Sequence, residues 1–132
     1  MTRSIDTMVE DTANALLGDL SEQSVVEAAE RGEWPAKLWA AATEAGLPMA
    51  LDEGLDGLPA AAAVARATGA NPAPIPLVET VLARGLAQLA GIVWPEGPAT
   101  IAPPRTSEVK VAREGNGLRV KGTLGAVPFG RW

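Results

Sequence analysis

The stretch NPAPIPLVETVLARGL (71–86) decides how this chain is read. Pro72, Pro74 and Pro76 cannot lie inside a helix, because each lacks an N–H and its ring clashes with the preceding turn. Pro76 differs from the other two. It stands where the first helical residue would be, and there its missing donor costs nothing. Leu77, Val78, Val81, Leu82, Leu86 and Leu89 follow at spacings of one, three and four, which is one broad apolar face. The stretch therefore predicts a stiff extended lead-in, then a helix docked at a fixed angle and running to about Ala90.

Upstream, the chain reads as four more helices. The first spans about Ser4 to Asp19, with a stripe of Ile5, Met8, Val9, Thr12, Leu16 and Leu17 and a stop at Gly18. The second runs from Ser21, its cap, to Glu30, and Gly32 breaks it. The third starts near Trp34-Pro35, places Leu38, Trp39, Ala42 and Ala45 on one face, and stops at Gly46. LPMALDEGLDGLP (47–59) is a loop with a short extended piece at Met49 to Leu51. The alanines from Ala60 to Ala67 make the fourth helix, ending at Gly69.

After Gly91 the character changes. Thr100 to Ala102 reads as a short strand. Val109 and Val111 alternate with charged Lys110 and Arg113, EGNG (114–117) has turn chemistry, and Leu118 and Val120 alternate with Arg119 and Lys121. That is a β-hairpin with one wet face. Gly122 to Trp132 reads as a third strand beginning. So few strands are marginal alone, and their edges need a neighbour. The expected fold is mainly α: a helical-bundle domain over residues 1–91, followed by the first strands of a β domain over residues 92–132, read as cut short.

Composition narrows the function. Across 132 residues the net charge is −5 and the pI about 4.7, which argues against nucleic acid or an anionic membrane as partner. Cysteine and histidine are both absent, which removes disulfides, thiolate chemistry, a Ser-His-Asp triad and almost any zinc site. MTRSIDTMVEDTANALL (1–17) mixes acids among its apolar residues, unlike a signal peptide, and no apolar run reaches the roughly 20 residues that span a bilayer. The expectation is a soluble, cytoplasmic protein. Hydrophobic residues are 47% of the chain but aromatics only 4%, so thin side chains and closely packed helices are expected.

Three stretches carry a resemblance: LWAAATEAGLPMALDEGLDGLP (38–59), AAAVARATGANPAPIPLVETVL (61–82) and VAREGNGLRVKGTLGAVPFGRW (111–132). Their order and spacing, over residues 38 to 132, resemble the N-terminal part of an acyl-CoA dehydrogenase. The matched features are a helix ending in AGL with an acidic glycine-rich loop, a proline-led helix, and a hairpin whose second strand carries hydrophobic-x-Gly-Thr at Gly122-Thr123. The resemblance implies FAD, an acyl-CoA thioester as substrate, and formation of an α,β double bond. In that reaction a carboxylate takes the α-proton while the β-hydride passes to flavin N5. It also implies a homo- or hetero-oligomer with dehydrogenase-like subunits.

Site residues follow from the resemblance position by position. Ala126, Val127 and Pro128 match the segment beside the flavin ring, although the family's indole and hydroxyl there are replaced. Pro76, Leu77 and Glu79 would flank the acyl cavity. The family's catalytic carboxylate lies in a later helical domain, so no glutamate of this chain inherits the role, and no activity is expected of the chain alone. The usual Thr-Glu-Pro and Gly-Ser segments of the β domain are also missing, and PPRTSE (103–108) is a poor substitute.

Plainer readings stand beside these. Residues 126–128 are equally an ordinary strand end with a proline stop, and Glu79 equally complements a helix dipole. Asp52, Glu53 and Asp56 lack the ligand spacing of a calcium loop and read as a solvated loop. Trp34 and Trp39 read as core or interface anchors, Trp94 as fixing the domain junction, and the native environment of Trp132 lies beyond the sequence. KVAREGNGLRVK (110–121) is basic without aromatic interleaving, and GNGLRVKG (115–122) is not a phosphate loop. The alternative function, from a different class, is a non-catalytic helical interaction subunit that completes a partner dehydrogenase.

Overall fold

The computed structural model describes residues 3–130. Among them are five α-helices, α1 (Ile5–Leu20), α2 (Gln23–Glu30), α3 (Ala36–Glu44), α4 (Leu58–Ala70) and α5 (Leu77–Leu89), then two strands, β1 (Ser107–Glu114) and β2 (Gly117–Leu124). The protein is mainly helical with a small antiparallel two-stranded sheet. No described helix is long and apolar enough to cross a membrane. Trp132, like Met1, Thr2 and Arg131, lies outside the described residues.

The core is built from small and branched side chains. Ala13 and Leu17 of α1, Leu38 and Ala42 of α3, Ala63, Val64 and Ala67 of α4, and Leu77 and Val81 of α5 are almost fully buried. α1 lies along α4, and alanines on the facing side let the two backbones approach closely. The polar flanks of that contact are tied by Arg66, which donates from Nε and Nη2 to Glu10 Oε2, and by Asn71 Nδ2, which donates to Asn14 Oδ1 at 3.0 Å.

Several sequence expectations shift. The expected stripe of α1 holds in part, since Val9, Leu16 and Leu17 pack in or against the core together with Leu20, while Ile5, Met8 and Thr12 are exposed. Gly18 does not stop α1 and Gly69 does not stop α4, because each helix continues past its glycine to satisfy further carbonyls. Ser21 lies between α1 and α2, and Glu22 caps α2. Gly46, by contrast, ends the third helix as expected, with φ at 75°. The segment after it is not extended at Met49–Leu51. It forms tight 3-10 turns at Leu47–Met49 and Leu55–Gly57, which bury Leu47, Pro48 and Leu51. At Gly57 any Cβ would stand 1.9 Å from the carbonyl oxygen of Ala50, so only glycine fits this turn.

The proline-led helix begins one residue later than expected, with Pro76 as its cap and Leu77 first. Its buried side is Leu77, Thr80, Val81, Gly85 and Ala87, while Leu82, Leu86 and Leu89 of the expected face are 46%, 58% and 64% exposed. Three local ties set that rotation. Leu51 presses on Gly85, Arg84 reaches Asp52, and Thr80 holds Ala99.

The hairpin pairs as the alternation predicts, with Val111 opposite Val120 and Glu114 opposite Gly117. Gly115 takes a φ of 59° in the two-residue turn. Val109, Val111, Leu118, Val120 and Leu124 share one face and Glu108, Lys110, Arg119 and Lys121 the other. The expectation of a single wet face fails, since both faces are exposed and no described residue covers the apolar one. Neither the short strand at Thr100–Ala102 nor a third strand forms among the described residues. The chain turns after Leu124, where Thr106 Oγ1 donates to Gly125 O at 2.8 Å and bends residue 125 out of the ladder.

Candidate functional site

Thr80 organises the region where the helices meet the segment leading to the hairpin. It is fully buried, and its Oγ1 donates to Pro76 O at 2.6 Å, with Ala99 O 3.1 Å away. The same oxygen accepts the Ala99 N–H at 3.0 Å. One hydroxyl therefore closes the first turn of α5 and pins the incoming chain at Ala99. The next residue, Thr100, donates from Oγ1 to Pro128 O at 2.6 Å, which ties the segment after β2 to the same place.

These ties shape two neighbouring concavities. A recess of about 300 Å³ is lined by Trp34, Pro76, Pro98, Ala99, Thr100 and Phe129. An open groove of about 690 Å³ is lined by Leu124, Val127, Pro128, Phe129 and Gly130. Phe129 belongs to both. Phe129 and Ala126 carry φ of 55° and 52°, the left-handed region, which costs a non-glycine residue about 1–3 kcal/mol and persists only where the surroundings hold it.

Three of the six expected site residues meet here. Pro76 lines the recess, and Val127 and Pro128 line the groove. Ala126 lines neither. Leu77 is buried in the core, and Glu79 sits in the first turn of α5 beside the recess walls without lining them. No carboxylate lines either concavity among the described residues. Trp34 stands at the recess and stacks obliquely on Trp39, with ring centres 5.8 Å apart. Sequence reading missed Thr80, Thr100 and Phe129. The one available signal was a threonine four residues after Pro76, placed to donate back to that carbonyl.

A second cluster locks the junction. Arg84 grips Asp52 with two parallel hydrogen bonds, Nε to Oδ1 at 2.8 Å and Nη2 to Oδ2. Hydrogen bonding to this carboxylate holds the guanidinium pKa above its ordinary value, against the opposing pull of partial burial. The guanidinium lies 6.0 Å from the centre of the Trp94 ring, which places Trp94 against α5. Asp52 is thus committed to an ion pair, and no group of three potential metal ligands gathers among the described residues. A separate cleft of about 370 Å³ between the end of α1, α2 and the start of α3 shares only Trp34 with the recess.

The flavin implied by the resemblance was tested against these residues. Among the described residues the groove at 124–130 is lined by Leu124, Val127, Pro128, Phe129 and Gly130, which bring no side-chain hydroxyl, amide or cation to it. Pro128 has no N–H, and its carbonyl is occupied by Thr100. A flavin needs donors at its ring carbonyls and cations or a helix N-terminus at its diphosphate. Residues 126–128 offer a surface for one edge of a flat ring and nothing more, so no chemical step is assigned through a flavin here.

No family model matches this chain, and neither a curated protein nor a solved structure matches it.

Proposed function

We propose that this chain is the N-terminal helical region and opening β-hairpin of an acyl-CoA dehydrogenase-like flavoprotein, whose complete form introduces an α,β double bond into an acyl-CoA thioester. The observation that carries this reading is the convergence of two stretches that lie far apart in the sequence. The proline-led start of α5 and the segment after β2 meet at one apolar recess under Trp34 and Phe129. In this reading the recess receives the acyl group. Ring-bearing and apolar side chains bind it, exclude water and orient it.

The chain does not perform the reaction by itself. Among the described residues neither concavity has a carboxylate to take an α-proton, and residues 126–128 do not complete an FAD site. FAD and the base come from outside these residues. A second reading is favoured by the exposed apolar faces of α5 and of the hairpin. It makes the chain a non-catalytic helical subunit that completes a dehydrogenase-like partner, as a homo- or hetero-oligomer.

Titration of the purified chain with hexanoyl-CoA, followed by tryptophan emission, tests the first reading. Saturable quenching beyond that of free coenzyme A is expected, and Trp34→Phe removes part of it. Absence of saturable binding overturns the reading. The same preparation, incubated with FAD and desalted, is expected to be colourless and to leave acyl-CoA unoxidised with an artificial acceptor. Turnover by the chain alone would also overturn it.

A further inference from the structure

Among the described residues, Phe129 alone is shared by the recess at Trp34 and Pro76 and the groove at Leu124 and Val127. Its backbone is held in the left-handed region by a turn in which the Gly130 N–H donates to Val127 O at 3.2 Å. The Thr100 Oγ1 bond to Pro128 O fixes that turn against the recess, and Thr80 fixes residue 99 against α5. The position of the Phe129 ring is therefore set by the same ties that shape the recess.

We propose that Phe129 is the partition that sets how far an acyl group reaches, and so the residue that selects for short acyl chains. This rests on the acyl-CoA reading above. The recess, at about 300 Å³, holds roughly ten non-hydrogen atoms at the ~30 Å³ that one water-sized unit occupies. A longer chain that runs on from the recess past Phe129 enters the open groove of about 690 Å³ beyond it, whose described side chains are Leu124, Val127 and Pro128 besides Phe129 itself. Removing the ring joins the two. Glycine is the substitution of choice, because it adopts the native φ of 55° without strain.

The test is tryptophan-emission titration of the whole chain and of Phe129→Gly with hexanoyl-CoA and with hexadecanoyl-CoA below its micelle threshold. Coenzyme A serves as reference, and far-UV circular dichroism establishes that each protein is folded. The wild type is expected to prefer the short thioester by about tenfold or more. Phe129→Gly is expected to erase most of that preference, chiefly by gaining affinity for the long chain. Should Phe129→Gly fail to fold, Phe129→Leu carries the same comparison of ratios. If both thioesters bind and the preference is absent or unchanged in the variant, the partition is refuted and the acyl-CoA reading stands. If neither thioester binds saturably to either protein, the acyl-CoA reading falls and the partition with it.

Discussion

Residues 5–89 and residues 107–124 both carry regular apolar patterns, yet only the first builds a buried core from part of its pattern. In the helical region Leu17, Leu38, Val64 and Leu77 are almost inaccessible. In the hairpin Val111, Leu118 and Val120 are each at least 60% exposed, although they line up on one face. Alternation makes a face and leaves open whether a neighbour covers it. A helix bundle supplies its own neighbours, because five short amphipathic elements cover one another, whereas a two-stranded sheet has no second layer. The hairpin therefore owes its geometry to local turn chemistry and ladder bonds, and the helical region owes its geometry to packing.

Substitutions sharpen that contrast in order of size. Leu17→Ala opens a cavity in the core and is expected to destabilise by about 3 kcal/mol in urea unfolding. A loss below about 1 kcal/mol would mean that the helical core is not packed as described. Thr80→Val keeps the volume but strands the Ala99 N–H, while Pro76 O still accepts from the Thr80 backbone N–H, with an expected cost of about 2 kcal/mol. It should also speed amide exchange at Ala99 and Thr100, an effect that a purely local loss in α5 would not produce.

Asp52→Asn weakens the grip on Arg84 and is expected to cost about 1 kcal/mol, since the pair is only partly buried. The pKa of Arg84 is raised on folding, so its contribution is fully present below the ordinary guanidinium value and is lost only as pH rises past the raised one. Thermal scans between pH 6 and 9 should accordingly show no titration from this arginine. Val120→Thr in the hairpin is expected to change stability by less than about 0.5 kcal/mol, because the side chain is already in water. A cost comparable to that of Leu17→Ala would show that the apolar face of the hairpin is covered in solution, and would favour the interaction-subunit reading.

How much was legible follows from the range of each interaction. The proline-led start of α5, the Gly46 stop and the hairpin register all rest on contacts a few residues apart, and each was read correctly or to within one residue. The helix ends read at Asp19 and Gly69 fall one residue short of Leu20 and Ala70, since a glycine in a last turn costs a helix only about 1 kcal/mol. Of the candidate site, Pro76, Val127 and Pro128 were named in advance, and Thr80, Thr100 and Phe129 were not. Those three act across gaps of 19 to 28 residues or through a turn whose direction depends on such a tie.

By itself, the sequence determined the number and order of the described helices, the hairpin and its pairing, and the absence of histidine and cysteine chemistry. These depend on local backbone preference, side-chain period and residue type. Only the tertiary structure decided which face of α5 is buried, that both faces of the hairpin are exposed, and that Phe129 lines both concavities. A helix with leucines around much of its circumference has no preferred orientation until Leu51, Asp52 and Ala99 take hold of Gly85, Arg84 and Thr80.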